Sequence, residues 1–160
     1  MDRLRALFQS MGLGDVRTVI ASGNVVFSTG KRSVERLERE IEAALRDALG
    51  HEVTTFVRTR AELEALLAFD PLPHLPPPPA ADGVLSVAFL KRPPTASGVA
   101  SLDALRTPID DFLVRGREAW WLRRTRDPKS LVLGSKLEKA LGTATVRNVS
   151  TVARIVRGMG

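Results

Sequence analysis

The sequence predicts an α+β fold in two lobes, and three observations carry that prediction. The second half of the chain reads strand, helix, strand, strand, helix, strand, helix. The first half reads helix, strand, strand, helix, strand, helix, the same succession without its opening strand. Between them lies Asp70-Pro71-Leu72-Pro73-His74-Leu75-Pro76-Pro77-Pro78-Pro79, where proline removes amide donors and excludes helix or central strand. Strand-helix-strand-strand-helix-strand is the split βαβ, or ferredoxin-like, unit. The expected organisation is a first α+β lobe over residues 1–70 that lacks its N-terminal strand. A stiff proline-rich linker over 71–82 and a second, basic α+β lobe over 83–160 complete it.

Each element has a local reason. Leu4, Leu7, Phe8 and Met11 fall on one helical stripe, which Gly12 ends. Val16 to Ala21 is β-branched and reads as a strand. Gly23-Asn24 is a two-residue hairpin signal, and Val25-Val26-Phe27 returns. Ser33 caps a helix whose stripe is Val34, Leu37, Ile41, Ala44, Leu45 and Ala48, with Gly50 as its stop. Val53 to Val57 reads as a third strand. Thr59-Arg60-Ala61-Glu62 is a capping box opening a helix with Leu63, Leu66 and Leu67.

In the second half, Val84 to Leu90 reads as a buried strand ended by Pro93-Pro94. A weaker helix carries Val99, Leu102 and Leu105. Phe112 to Val114 and Ala119 to Leu122 form a hairpin around Arg115-Gly116-Arg117. A helix over Ser130 to Leu141, a strand over Thr143 to Val146 and a last helix capped by Asn148 or Ser150 complete the pattern. In this topology the first strand lies between the third and fourth. Its absence from the first lobe would leave two unpaired edges, which attract other chains. An upstream start, another segment or a second copy of the chain would fill such a gap.

Composition narrows function by exclusion. There is no cysteine, which excludes disulfides and thiolate chemistry and is compatible with a reducing cytoplasm. No apolar run approaches the ~18 residues that span a membrane, and the N-terminus has no signal-peptide pattern. The net charge of +6 is uneven: residues 1–80 carry 10 basic and 11 acidic side chains, residues 81–160 carry 14 and 7. A basic lobe favours anionic partners, although 19 of the 24 cations are arginine in an alanine-rich chain, as codon bias would produce.

Five stretches in order resemble the bacterial domain-of-unknown-function family 1697. The most specific is Asp15 to Phe27, ending in Ser22-Gly23-Asn24-Val25-Val26-Phe27. Arg58 to Leu63 with Asp70-Pro71-Leu72, and Phe89-Leu90-Lys91-Arg92-Pro93-Pro94, are similar to the family's second and third motifs. Lys129-Ser130 with Leu137 and Leu141-Gly142, and Thr145 to Val152, are similar to its last two. Val149-Ser150 departs from the family's Trp-Asn. The resemblance also implies a strand and a Gly-rich loop ahead of Met1. It implies the fold and brings no activity with it.

Candidate sites follow from residue chemistry. Ser22-Gly23-Asn24 offers a hydroxyl and an amide at a tight turn, and equally suits the turn alone. Arg147-Asn148 stands ahead of a helix N-terminus, where outward amides and a planar guanidinium favour an anion. Arg58-Thr59 occupies the equivalent corner of the first lobe. Lys129-Ser130 opens another helix in the same way. At all three corners, ordinary capping with a solvated cation is the competing reading. Trp120-Trp121 with Arg115, Arg117, Arg123, Arg124 and Arg126 resembles a base-stacking surface, with Phe89 on a neighbouring strand. The sequence around the Trp pair lacks the RNA-binding aromatic pattern, and adjacent strand residues face opposite sides. His51 and His74 have no metal-ligand spacing, and no nucleophile elbow or phosphate-loop motif is present. The expectation is a cytoplasmic protein without metal or cofactor, binding a small anionic ligand near Ser22, Asn24, Arg58, Arg147 and Asn148. Nucleic-acid binding by the basic lobe is the alternative, and whether the protein is an enzyme stays open. A homodimer through unpaired strand edges is the further partner expectation.

Overall fold

A computed structural model describes residues 2–20, 23–126, 132 and 134–160. Among the described residues the fold is mixed α+β, with six α-helices and two antiparallel sheets. It divides into two units, one of residues 1–66 with 151–160, the other of residues 67–150. The proline-rich stretch thus falls inside the second unit, and the last ten residues belong with the first.

In the first unit, α1 (Asp2–Ser10) precedes β1 (Gly14–Val19) and β2 (Asn24–Ser28), which pair antiparallel. Val19 pairs with Asn24, so the connection is the four residues 20–23 rather than a Gly23-Asn24 turn. Left-handed backbone falls on Ile20 (φ 60°) and Gly23 (φ 78°). For β-branched Ile20 that conformation is strained. α2 (Val34–Leu49) begins where Ser33 Oγ accepts the Arg36 amide at 3.3 Å and ends on left-handed Gly50. Its face of Leu37, Ile41 and Leu45 buries against Phe8, Leu13 and Val16. Residues 53–57 form no ladder, contrary to expectation. Sequence gives this stretch strand character, but a strand needs a neighbour, and the Thr55 and Val57 amides bond to α2 carboxylates instead, Glu42 Oε1 at 2.9 Å and Glu38 Oε2 at 2.8 Å. α3 (Arg60–Ala68) follows.

In the second unit, β3 (Val84–Leu90), α4 (Ala96–Asp103), β4 (Asp110–Arg115), β5 (Glu118–Arg123), α5 (Gly134–Leu141) and β6 (Ala144–Asn148) build one sheet in the order β4-β5-β3-β6. β3 is central, paired antiparallel to β5 and β6. The helix-side face packs Ala88, Phe112 and Ala119 on Leu102 and Leu137. α4 and α5 approach closely at Gly98, where a Cβ would stand 3.0 Å from the Ala140 carbonyl. α6 (Val149–Gly158) follows β6 directly, and its C-terminal end lies in the first unit, where a Cβ on Gly158 would stand 2.9 Å from a Val19 methyl.

The stretch expected as an extended linker is folded onto the second unit. Leu72–His74 makes a single 3-10 turn, with Asp70 Oδ1 accepting the Leu72 amide at 3.0 Å. Leu75 is buried. Arg124, itself buried, donates to the carbonyls of Leu75 (3.1 Å), Pro76 (2.9 Å) and Pro77 (2.8 Å), and to Asp111 Oδ2 at 3.0 Å. Proline leaves its carbonyls without local amide partners, and one guanidinium collects them.

Candidate functional site

The hairpin corner of the first unit is tied by its own side chain. Asn24 opens β2, and its Nδ2 donates to the Val19 carbonyl at 3.1 Å across the mouth of the hairpin. Gly23 supplies the left-handed residue before it. Ser22 lies outside the described residues.

Arg58 precedes α3 and donates from Nη1 to the Val57 carbonyl at 3.1 Å. The expected capping box is present in both directions. Glu62 Oε2 accepts the Thr59 amide at 2.7 Å, and Thr59 Oγ1 accepts the Glu62 amide at 3.2 Å. A carboxylate therefore already sits at this helix N-terminus, in the position an external anion would take.

The corresponding corner of the second unit is built differently. Arg147 and Asn148 are consecutive in β6, paired with Val87 and Ser86, so their side chains leave opposite faces of the sheet. Asn148 Oδ1 accepts from Ser86 Oγ at 3.0 Å on the helix-side face. Arg147 is half-buried on the other face. It donates from Nη1 to Thr145 Oγ1 at 2.7 Å and to the Val146 carbonyl at 3.0 Å. Burial pushes its guanidinium below the usual arginine range. The third residue of α6 is Thr151, where α3 has Glu62. Lys129 and Ser130 lie outside the described residues.

The Trp pair splits as the pleat requires. Trp120 is 2% exposed, on the same face as Val87 and Phe89, and Phe89 is 6% exposed. Phe69 packs on Trp120 (centroids 6.0 Å), its ring stacked by His74 and covered by the Arg115 guanidinium at 3.8 Å. Trp121 lies on the helix-side face against Phe112 and donates its indole N–H to Asp110 Oδ1 at 2.8 Å. Asp110 is fully buried and also takes Arg123 Nε at 3.0 Å. Sequence reasoning missed this Asp110, Trp121, Arg123 cluster and the neighbouring Arg124–Asp111 pair. The signal was available, since counting outward from the Gly116 turn sets Arg123 opposite Asp110. Among the described residues no group of His, Asp and Glu gathers as metal ligands, and no helix is long and apolar enough to cross a membrane.

An α+β protein of two units, one with a two-stranded antiparallel hairpin and the other with a four-stranded antiparallel sheet, is the class so defined. A family model described as "Protein of unknown function (DUF1697)" matches residues 1–120, and the chain belongs to that family. Its fold is similar to that of the conserved bacterial protein SP0830 from Streptococcus pneumoniae, with a TM-score of 0.76 at 19% sequence identity. That match covers 100% of this chain and 88% of the other. No curated protein matches the chain.

Proposed function

We propose that the protein is a cytoplasmic binding protein for a small phosphate- or carboxylate-bearing ligand, held at the turn from β6 into α6 with Arg147 as its anchor. What carries the reading is a half-buried arginine two residues ahead of a helix N-terminus. Its Nη1 donates to Thr145 Oγ1 and to the Val146 carbonyl. An anion there would offset the desolvation that depresses Arg147. A guanidinium matches phosphate or carboxylate with two parallel bonds, and helix amides add to the field. Asn148 contributes backbone, because its side chain serves Ser86 on the opposite face. The strand order β4-β5-β3-β6 supports a ferredoxin-like reading of the second unit, with β3 as its first strand.

The test is calorimetric titration with inorganic phosphate, pyrophosphate and citrate, alongside Arg147→Ala and Asn148→Ala. Binding should be lost in the first variant, with its circular dichroism unchanged, and kept in the second. A folded Arg147→Ala protein that retains the wild-type affinity sinks the proposal, as does the absence of binding to all three anions. Nucleic-acid binding by the basic half has less support. Phe89 and Trp120, the aromatics a stacking platform would use, are buried. Phosphate contacts would have to carry that reading, and affinity would then fall steeply with salt.

A further inference from the structure

We propose that the outer end of the ring stack on β5 is a binding site for a nucleobase that carries a phosphate. The base lies on the His74 imidazole, and the phosphate meets the edge of the Arg115 guanidinium.

Four planar groups build this site, all within the second unit. Trp120 is the floor, on the sheet face it shares with its cross-strand partners Val87 and Leu113. Phe69 packs on it with ring centroids 6.0 Å apart. His74 lies nearly parallel to Phe69, at 18° and 5.6 Å. The Arg115 guanidinium lies over the Phe69 ring, 3.8 Å from its centroid. Exposure grows outward along the series: Trp120 is buried, Phe69 half-buried, and His74 and Arg115 exposed. The stack thus ends in two planar groups that solvent reaches.

The backbone fixes those planes. Phe69 follows α3 directly. The His74 amide donates to the Pro71 carbonyl at 2.9 Å, and the next residue, Leu75, is buried with its carbonyl held by Arg124. Arg115 ends β4, in register with Glu118. Planes already set in place lose little freedom when a ligand stacks on them.

Their polar edges are open. Among the described residues, the side chains of His74 and Arg115 make only these ring contacts. A guanidinium lying flat on a ring keeps its N–H donors in its own plane, aimed away from the ring. That edge is the fork that matches phosphate.

The ligand class follows from the pair. Nucleobases stack on histidine and on guanidinium planes, whereas an aliphatic acid would leave the imidazole face without use. The excess of 14 basic over 7 acidic residues in 81–160 favours an anion. Arg115 on β4 and Arg147 on β6 stand at opposite ends of the strand order, so this inference does not rest on the anion site at the β6–α6 turn.

The experiment is proton NMR of the 160-residue protein at fixed pH, titrated with AMP, adenosine and inorganic phosphate. His51 and His74 are the chain's two histidines, so each ring is assigned by one substitution, and His51 serves as the internal control. AMP should move the His74 ring resonances upfield to saturation and leave those of His51 in place. Adenosine should do the same at least about tenfold more weakly, and inorganic phosphate should not move them. Arg115→Gln should weaken AMP by at least about tenfold and leave the affinity for adenosine as it was. A base and a phosphate come together in a free nucleotide or in a strand. Tighter binding of a short oligodeoxyadenylate than of AMP assigns the site to a strand, and equal or weaker binding assigns it to a free nucleotide. The proposal is overturned by His74 resonances that AMP leaves unmoved, or by the same shifts with phosphate alone. An Arg115→Gln variant that weakens AMP and adenosine alike also overturns it, since Arg115 then only props the stack.

Discussion

Replacing Arg124 by alanine tests how the proline-rich stretch is held. The guanidinium spends its donors on the carbonyls of Leu75, Pro76, Pro77 and Pro108 and on Asp111. Removing one partner of a buried ion pair costs about 3–5 kcal/mol. Here Asp111 keeps Arg106 Nε at 2.9 Å, which places the pair contribution at the lower end. The bond to Leu75 O is buried, and its loss leaves a carbonyl that water reaches poorly, worth about 1–3 kcal/mol. The two contributions overlap, so the net expectation is about 3 kcal/mol, or a fall in Tm of about 6–12 °C for a chain this size. Both tryptophans lie on β5, so urea unfolding followed by tryptophan fluorescence reports the second unit selectively. Arg124→Lys should recover only part of the loss, because an ammonium is a point charge with three donors and no planar fork. Stability of Arg124→Ala within about 1 kcal/mol of wild type, or full rescue by lysine, would refute the clamp.

Three further outcomes are expected. Asp110→Asn keeps the volume but withdraws the charge facing Arg123, and should cost about 3 kcal/mol in the same unfolding assay. Gly158→Ala forces a new methyl to within 2.9 Å of Val19, and should lower stability by about 1 kcal/mol despite alanine's better helix propensity; a gain would mean that α6 moves aside freely. The Arg126 amide and Thr125 hydroxyl hold the Asp82 carboxyl below its usual range, so its contribution is present above the unfolded-state pKa and lost as pH falls through the lower folded value. The amide resonance of Arg126 should therefore titrate below the ordinary aspartate midpoint, and Asp82→Asn should abolish that titration.

Local signals were legible because they are local. Ser33, Gly50, the Thr59–Glu62 box and the Gly116 turn each act within a few residues, and each is where the sequence put it. The hairpin at 20–23 was misread as a two-residue turn because nothing in Ile20 announces a left-handed backbone. Val53 to Val57 has strand composition, but laddering depends on a neighbour rather than on propensity. The proline stretch was unreadable as a packed segment, because the group that holds it, Arg124, lies 49 residues beyond Leu75. Of the candidate site residues, the corner motifs were visible. The pleat that parts Arg147 from Asn148, and the ring stack that covers Trp120, follow from tertiary pairing.

The two arginine corners share a pattern and differ at one position, which gives the anion proposal its sharpest internal control. Arg58 and Arg147 each stand just ahead of a helix. At the third helical residue the first has Glu62, whose carboxylate closes the helix N-terminus, and the second has Thr151. If an external anion occupies the second corner, then Thr151→Glu supplies a tethered competitor. A carboxylate in the first turn is itself favourable by about 0.3–1 kcal/mol, so the variant should be as stable as wild type or slightly more so. Its affinity for phosphate should nonetheless fall by at least about tenfold, since charge at that position then opposes the ligand. Loss of binding without loss of stability separates occupation of the corner from damage to the fold, a distinction Arg147→Ala cannot make alone. Undiminished phosphate affinity in Thr151→Glu would place the anion elsewhere and remove the second corner from consideration.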